Sequence, residues 1–131
     1  YEVLKTEKNN LKKIKTPLKF NFQSFTKNTS IATSSMIIKK NLAKTSKFTN
    51  AKSCDDYYYK CCLLNKTKFA YCLDDYLLIY RVRAKSVQSS KFRNIYWIWK
   101  INREMNNFSF FKNLISLIFI SFNSLKKYGF R

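Results

Sequence analysis

Histidine is absent from the sequence, and glycine and proline occur once each in 131 residues. Without histidine the chain has neither the usual proton shuttle near neutral pH nor a histidine metal site. The single glycine, Gly129, excludes the glycine-rich loops that bind phosphates or dinucleotides. Pro17 excludes one continuous helix through the first third of the chain. These absences argue against an enzyme, and we predict no catalytic residue, no cofactor and no small-molecule substrate.

Acidic residues are scarce as well, since 7 Asp and Glu stand against 26 Lys and Arg, for a net charge of +19. Residues 1–53 carry twelve Lys against Glu2 and Glu7, a net +10. Residues 81–131 carry eleven Lys or Arg against Glu104, again +10, whereas residues 54–80 have a net charge of −1. Charge on this scale repels itself. The sequence therefore predicts a polyanionic partner.

Two pairs of neighbouring acids are the nearest approach to a catalytic carboxylate pair: Asp55 with Asp56, and Asp74 with Asp75. Acid–base catalysis needs carboxylates in a shaped, partly desolvated site, and nothing in the surrounding sequence indicates one. The simpler interpretation is local ion pairing with the nearby cations, which are Lys60, Lys66, Lys68, Arg81 and Arg83.

The composition is typical of a strongly AT-biased genome. Residues with AT-rich codons (Lys, Asn, Ile, Phe and Tyr) number 66 of 131, against 12 with GC-rich codons (Gly, Ala, Arg and Pro). Mutation in an AT-biased genome favours lysine codons, and part of the lysine excess therefore reflects this bias. Arginine makes bidentate contacts that lysine does not, so the five Arg are the better candidates for specific contacts. They all lie within residues 81–131, at positions 81, 83, 93, 103 and 131.

Long apolar runs are missing too. None reaches the roughly 18 residues of a membrane-spanning helix, and the nearest, residues 108–122, contains Lys112, Asn113 and serines. The opening Tyr1-Glu2-Val3 lacks the basic-then-apolar layout of a secretory signal. Hydrophobic residues at 46% and aromatic residues at 18% nevertheless argue against full disorder. We expect a chain that is part core and part arm.

This organisation predicts a small α+β fold. Residues 1–53 are predicted to be a long extended basic N-terminal arm that orders on its partner, with Phe20, Phe22 and Phe25 as anchors. Residues 54–131 are predicted to form a small, aromatic-rich mixed core that ends in an amphipathic helix at about 107–127.

Three segments of the core carry a periodic pattern. Residues 68–80 fit a helix, but residues 77–83 alternate equally well as a strand, and both readings stay open. Residues 92–103 alternate and predict a strand, with Ile95, Trp97, Trp99 and Ile101 on one side. In the C-terminal helix an apolar stripe recurs at spacings of three and four, opposite a polar side with Lys112, Ser116, Asn123 and Lys127. The stripe is Phe108, Phe111, Ile115, Ile118, Phe122 and Leu125.

The four cysteines cluster at Cys54, Cys61, Cys62 and Cys72, and the remainder of the chain has none. Zinc sites usually present two closely spaced pairs of thiolates, which the spacing C-x6-C-C-x9-C matches weakly. Disulfides need an oxidising compartment, which no secretory signal indicates. Free thiols are the favoured reading, ahead of a metal site and of disulfides.

Basic residues interleave with aromatic residues in the last third of the chain, as in KFRN over residues 91–94 and YWIWK over residues 96–100. RNA-binding surfaces combine cations for phosphates with flat rings that stack on unpaired bases. We expect Trp97 and Trp99 to be mostly core. The predicted RNA-binding cations are Lys5, Lys8, Lys12, Lys13, Lys15, Lys19, Lys39, Lys40, Lys44, Lys47, Arg81, Arg83, Lys85, Lys91, Arg93, Lys100 and Arg103.

Small size, a basic arm, an aromatic core and AT-driven composition resemble ribosomal proteins of AT-rich protist organelles. LKKYGFR at residues 125–131 resembles the ending of the small-subunit ribosomal protein fifteen. Arg93-Asn94 with residues 120–129 is similar to parts of protein fourteen of the same subunit, without its Thr-Gly-Arg loop. The resemblance implies a structural constituent of a mitochondrial ribosome in the matrix, whose partners are ribosomal RNA and neighbouring ribosomal proteins. The alternative is an accessory subunit of an organellar membrane complex, with residues 108–122 in or against the bilayer.

Overall fold

The computed structural model describes residues 2–5, 11–81 and 90–129, with the backbone alone at residues 2–5, 11, 80 and 81. Within these ranges the fold is a mixed α+β arrangement of five helices and short strands. The strands are β1 (Glu2–Lys5), β2 (Leu11–Ile14), β3 (Lys19–Phe20), β4 (Ala70–Tyr71) and β5 (Leu78–Arg81). The helices are α1 (Phe22–Phe25), α2 (Lys40–Lys44), α3 (Asp55–Lys66), α4 (Lys91–Glu104) and α5 (Phe110–Tyr128), with a 3-10 turn at Thr33–Ser35.

The strands form two small sheets. In the first, of order β2-β1-β5, β1 pairs antiparallel with β2 and parallel with β5. In the second, β3 pairs antiparallel with β4, so that Lys19 lies opposite Tyr71. Of the two readings left open for residues 68–83, the strand is therefore the one that forms, as β5. Both sheets join residues of the N-terminal 20 to the segment that follows α3.

Helix α3 supplies the centre of the core. Asp55 and Asp56 occupy its first turn and Lys66 its last, so its charges complement the helix dipole. Buried side chains recur at Tyr57, Cys61 and Leu64, the spacing of four and three that places residues on one face of a helix. This face contacts the short N-terminal helix α1 and the C-terminal pair α4 and α5.

The core extends into the stretch predicted as an arm. Phe20 and Phe25 are buried in the same cluster as Tyr57, and the Phe25 ring stacks on the Tyr57 ring with centroids 5.5 Å apart. Asn21 and Ser24 form a capping box that holds α1, since each side chain accepts a hydrogen bond from the other's backbone N–H. The predicted phenylalanine anchors thus pack on the chain's own core.

The strand predicted over residues 92–103 is wrong, because this segment is helix α4. Its buried residues are Ile98, Ile101 and Asn102, at the spacing of three and one that a helix brings to one side. Ser90 caps its first turn by accepting a hydrogen bond from the backbone N–H of Arg93. Alternating Ile and Trp residues favour a strand locally, but 14 helical residues packed on α5 outweigh that preference.

Helix α5 forms at Phe110–Tyr128, close to the predicted 107–127, but its orientation is unexpected. Ser109 caps the start, and Gly129, at φ +77°, ends the helix by donating its N–H to the Leu125 carbonyl. The face turned to the core carries Asn113, Ser116, Leu117 and Ile120. Most of the predicted apolar stripe is therefore exposed, and only Phe108, which precedes the helix, is buried. Among the described residues, no helix has the combined length and hydropathy that crossing a membrane would require.

A buried polar network explains this orientation. The Asn102 side chain, fully buried on α4, donates to Asn113 Oδ1 at 3.0 Å and to Ser116 Oγ at 3.3 Å. It accepts from the Tyr57 hydroxyl at 2.8 Å. Ser116 in turn donates to the carbonyl of Thr26 at 2.5 Å. Because an unpaired buried polar group is costly, the partner on α4 requires Asn113 and Ser116 to face inward, together with Leu117 and Ile120.

Candidate nucleic-acid interface

The structure describes some of the predicted RNA-binding cations fully, some by backbone alone and some not at all. Lys8, Arg83 and Lys85 lie outside the described residues, and Lys5 and Arg81 are described by backbone alone. Most of the others are exposed, and Lys100 is half-buried. They lie on the small sheets, around α2 and on α4. The sheets bring the two basic flanks together, because the pairing of β1 with β5 places Lys5 opposite Arg81.

Several lysines of the sheet region are engaged within the protein. Lys12 Nζ donates to the carbonyls of Lys126 and Lys127 at 3.4 and 3.0 Å, where it occupies the negative end of α5. Lys19 Nζ lies 3.5 Å from the centroid of the Phe69 ring. Lys12 and Lys19 thus hold the N-terminal strands to the fold in addition to any contact with a partner.

The lysines around α2 are exposed on a segment that α3 holds in place. Lys66 Nζ donates to the Thr45 carbonyl and to Ser46 Oγ, and the Phe48 ring stacks on Tyr59 at 4.2 Å. These contacts fix the segment that presents four exposed lysines: Lys39, Lys40, Lys44 and Lys47.

Helix α4 presents the most distinctive surface, which we call the α4 outward face: Phe92, Arg93, Tyr96, Lys100 and Arg103. These residues lie opposite the buried Ile98 and Asn102 on the helix. The Phe92 side chain is 88% exposed and Tyr96 is 59% exposed. Two open rings thus alternate with three cations along one helix face.

The cations of this face are positioned by their surroundings. Arg103 Nη1 donates to the carbonyl of Phe108 at 2.6 Å, which holds the guanidinium beside the turn into α5. Lys100 Nζ lies 5.5 Å from the centroid of the Trp97 ring, within the range of a cation–π contact. Trp97 is half-buried, and Trp99 packs against the core, with its ring in a T-shaped contact with the Phe110 ring. The expectation that the tryptophans are mostly core therefore fits Trp99 better than Trp97.

The predicted pairing of the acids is found at Asp56. Its carboxylate accepts from Lys60 Nζ at 2.8 Å and from the Thr33 hydroxyl at 3.0 Å. Burial opposes ionisation of Asp56, but the attraction of Lys60 and these hydrogen bonds outweigh it and lower the pKa below the ordinary 3.8. Asp74 and Asp75 are exposed on the connection before β5. None of these acids lies on the α4 outward face.

The cysteines are dispersed around α3. Burial raises the pKa of the Cys61 thiol to about 12, and burial also raises the pKa of Cys54. None of the four, all of which the structure describes, forms a disulfide, and Cys72 Sγ lies 3.4 Å from the Thr16 hydroxyl. In the part of the chain that the structure describes, no group of three or more Cys, Asp or Glu side chains is placed to hold a metal ion.

The cations of α4 and the aromatic residues among them were predicted from the sequence, but not their grouping on one helix face. A strand places Phe92, Tyr96 and Lys100 on one face and Arg93 and Arg103 on the other, whereas the helix brings all five to one face. The signal that would have found them is the spacing of four between Phe92, Tyr96 and Lys100, which repeats one helical turn.

Comparison with known proteins assigns this chain to no family. No family model, curated protein or solved structure matches the chain. The resemblance to organellar ribosomal proteins stays a prediction from the residues, and the geometry of the α4 outward face is the basis of the function proposed below.

Proposed function

We propose that this protein is a non-catalytic structural constituent of a mitochondrial ribosome that binds ribosomal RNA and neighbouring ribosomal proteins. The observation that carries the proposal is the α4 outward face, where exposed Phe92 and Tyr96 alternate with cations on a chain of net charge +19. Cations alone would suit any polyanion. The open rings among them favour unpaired bases, because every base has a flat face on which a ring can stack.

Each group has a separate role in this proposal. Arg93, Lys100 and Arg103 contact phosphates, and Arg103 has its orientation fixed by the Phe108 carbonyl. Phe92 and Tyr96 stack on bases that a loop or single strand leaves unpaired. The lysines around α2 and on the sheets add affinity that depends on salt, since each phosphate they neutralise releases a counterion.

Binding of RNA by the purified full chain tests the stacking role. The probe is an oligouridylate of about 16 nucleotides, the upper site size of a single-strand-binding module. The variant Phe92→Ser with Tyr96→Ser keeps every charge, and we expect its affinity to fall at least about tenfold, because each stacked base contributes roughly 1–3 kcal/mol. The matched control, Phe111→Ser with Phe122→Ser, removes two exposed rings from α5 and should bind like wild type. Equal affinities for both variants would remove the α4 outward face from the proposal.

Salt dependence tests the phosphate contacts. The slope of log affinity against log salt should be less steep by about 1.4 in Arg93→Ser with Lys100→Ser, since single-strand binding changes the slope by about 0.7 per phosphate. Lys52→Ser with Lys68→Ser removes the same charge from two exposed positions outside the α4 outward face and should change the slope less. Wild-type binding that does not respond to salt would refute the polyanion proposal altogether.

Sedimentation tests the ribosomal assignment separately. A tagged full chain expressed in mitochondria should migrate with a ribosomal subunit through a sucrose gradient. It should shift to light fractions after ribonuclease treatment. Migration in light fractions without ribonuclease would contradict the ribosomal assignment while leaving RNA binding intact.

A further inference from the structure

Helix α5 exposes an apolar surface that nothing in the described chain covers. We call it the α5 outward face: Phe111, Ile115, Ile118 and Phe122. The side chains of Phe111, Ile118 and Phe122 are 75%, 58% and 66% exposed. Their spacing of four, three and four places them in one row along the helix. Leu114 and Phe119, both also exposed, widen this row on its two sides. Contiguous apolar surface of this kind marks an interaction site.

The polar residues of the same helix are turned away from this face. Asn113 donates to the carbonyl of Trp99 at 3.0 Å, Ser116 to that of Thr26 at 2.5 Å, and Asn123 to that of Lys27 at 3.1 Å. In the sequence, Asn113 and Lys112 are polar residues within an apolar segment, and they argue against contact of this segment with a membrane. The structure removes the first objection, because Asn113 is fully buried against α4.

The remaining objection, Lys112, lies at the border of the face together with other cations. Lys112 occupies the first turn of α5 and Lys126 the last turn, and Lys27 Nζ lies 5.4 Å from the centroid of the Phe119 ring. Helix α5 contains no acidic residue. An occupant of this surface must therefore accept apolar side chains along its centre and present negative charge along the edge that Lys112 and Lys126 share.

We propose that the α5 outward face docks on an anionic lipid surface, a property that goes beyond the proposed RNA binding. A second copy of the chain would bring a further charge of +19 to the contact and is disfavoured by repulsion. A bilayer surface meets both requirements, because its acyl chains accept the apolar side chains and its anionic headgroups attract the cations. Helix α5, 19 residues or about 28 Å long, lies along the surface with its row of Phe and Ile inserted. Lys112 and Lys126 then reach the headgroups.

Vesicle flotation of the full chain, with no RNA present, tests the proposal. One set of vesicles is phosphatidylcholine alone, and the other contains about 30% phosphatidylglycerol, a proportion that gives a negative surface potential. Wild type should float with the anionic vesicles and not with the neutral ones. Phe111→Ser with Phe122→Ser should lower the partition at least about tenfold, because each loses the gain from burying a large apolar side chain.

Two further variants separate the contributions. Phe92→Ser with Tyr96→Ser, which changes α4 instead, should float like wild type. Lys112→Gln with Lys126→Gln keeps the apolar row and should lower the partition roughly thirtyfold, as expected for two cations at an anionic surface. Far-ultraviolet circular dichroism of each variant reports whether α5 has stayed folded.

Two results of the flotation experiment would overturn the lipid-docking proposal. Unchanged flotation of the α5 variant would overturn the proposal, since attraction of the charges alone would then account for binding. Absence of flotation by wild type would overturn it too, and would point to a protein partner for this face. Failure here is distinct from failure of the proposed function, because the α5 variant is also the control that should keep wild-type affinity for RNA.

Discussion

Replacing Asn102 by alanine tests the buried network that sets the orientation of α5. Its amide joins Tyr57 on α3 to Asn113 and Ser116 on α5. In the alanine variant the Tyr57 hydroxyl loses its acceptor and Asn113 Oδ1 loses its donor, while Ser116 keeps its bond to the Thr26 carbonyl. Two buried groups left unpaired cost about 1–3 kcal/mol each. We expect the free energy of unfolding to fall by about 3–4 kcal/mol, a large part of a typical total of about 5–15 kcal/mol.

The measurement is urea unfolding followed by circular dichroism, in enough salt to screen the charge repulsion. With a slope near 2 kcal/mol per molar urea, the midpoint should fall by about 1.5–2 M. Asn102→Leu fills the space without restoring the hydrogen bonds and should lose nearly as much. Asn65→Ala, at an exposed position of α3, should stay within about 0.5 kcal/mol of wild type. An Asn102→Ala midpoint that matches the Asn65→Ala midpoint would refute the network as the determinant of α5 orientation.

Three other predictions concern the core and its ionisable groups. Phe25→Ala should lower the free energy of unfolding by about 3–5 kcal/mol, whereas Ile37→Ala, at a side chain 97% exposed, should leave it nearly unchanged; similar urea midpoints for the two would refute burial of Phe25. Because the pKa of Asp56 is lowered from 3.8, its ionisation stabilises the fold above that pH and this contribution is lost as the pH falls through the lowered value. Asp56→Asn should therefore lose less stability than wild type on acidification below about pH 4, as measured by thermal unfolding across pH. Cys61, with its pKa raised to about 12, should resist alkylation at pH 8 in the native protein and react after unfolding in urea, as peptide mapping would show.

The C-terminal helix was predictable because its signals agree with one another. A periodic pattern runs through residues 108–125, Ser109 supplies an N-cap and Gly129 a helix end. The helix of residues 91–104 was not, because aromatic and β-branched residues at alternate positions also fit a strand. What decides between the two lies elsewhere in the chain, in the packing of Ile98 and Ile101 against the rest of the core.

The orientation of α5 shows a different limit of sequence patterns. A pattern identifies which side of a helix is apolar, and one then expects that side to be buried. Here the neighbouring α4 presents Asn102, which is 45 residues from Tyr57 and 11 from Asn113 in the chain. Nothing in the local sequence of α5 records this partner. The same holds for Phe25, whose polar neighbours predict an arm and whose burial depends on Tyr57.

The pairing of β1 with β5 has a consequence for the order in which the chain can fold. Glu2 lies beside Leu78, and Lys5 beside Arg81, so the first strand has no parallel neighbour until most of the chain has been synthesised. Lys12 meets the carbonyls of Lys126 and Lys127 later still. Contacts between such distant residues are slow to form, because the chain loses the entropy of closing a long loop before the contacts stabilise it. The pairing of β1 with β2, which joins residues no more than 12 apart, can form before the pairing of β1 with β5, which joins residues 76 apart.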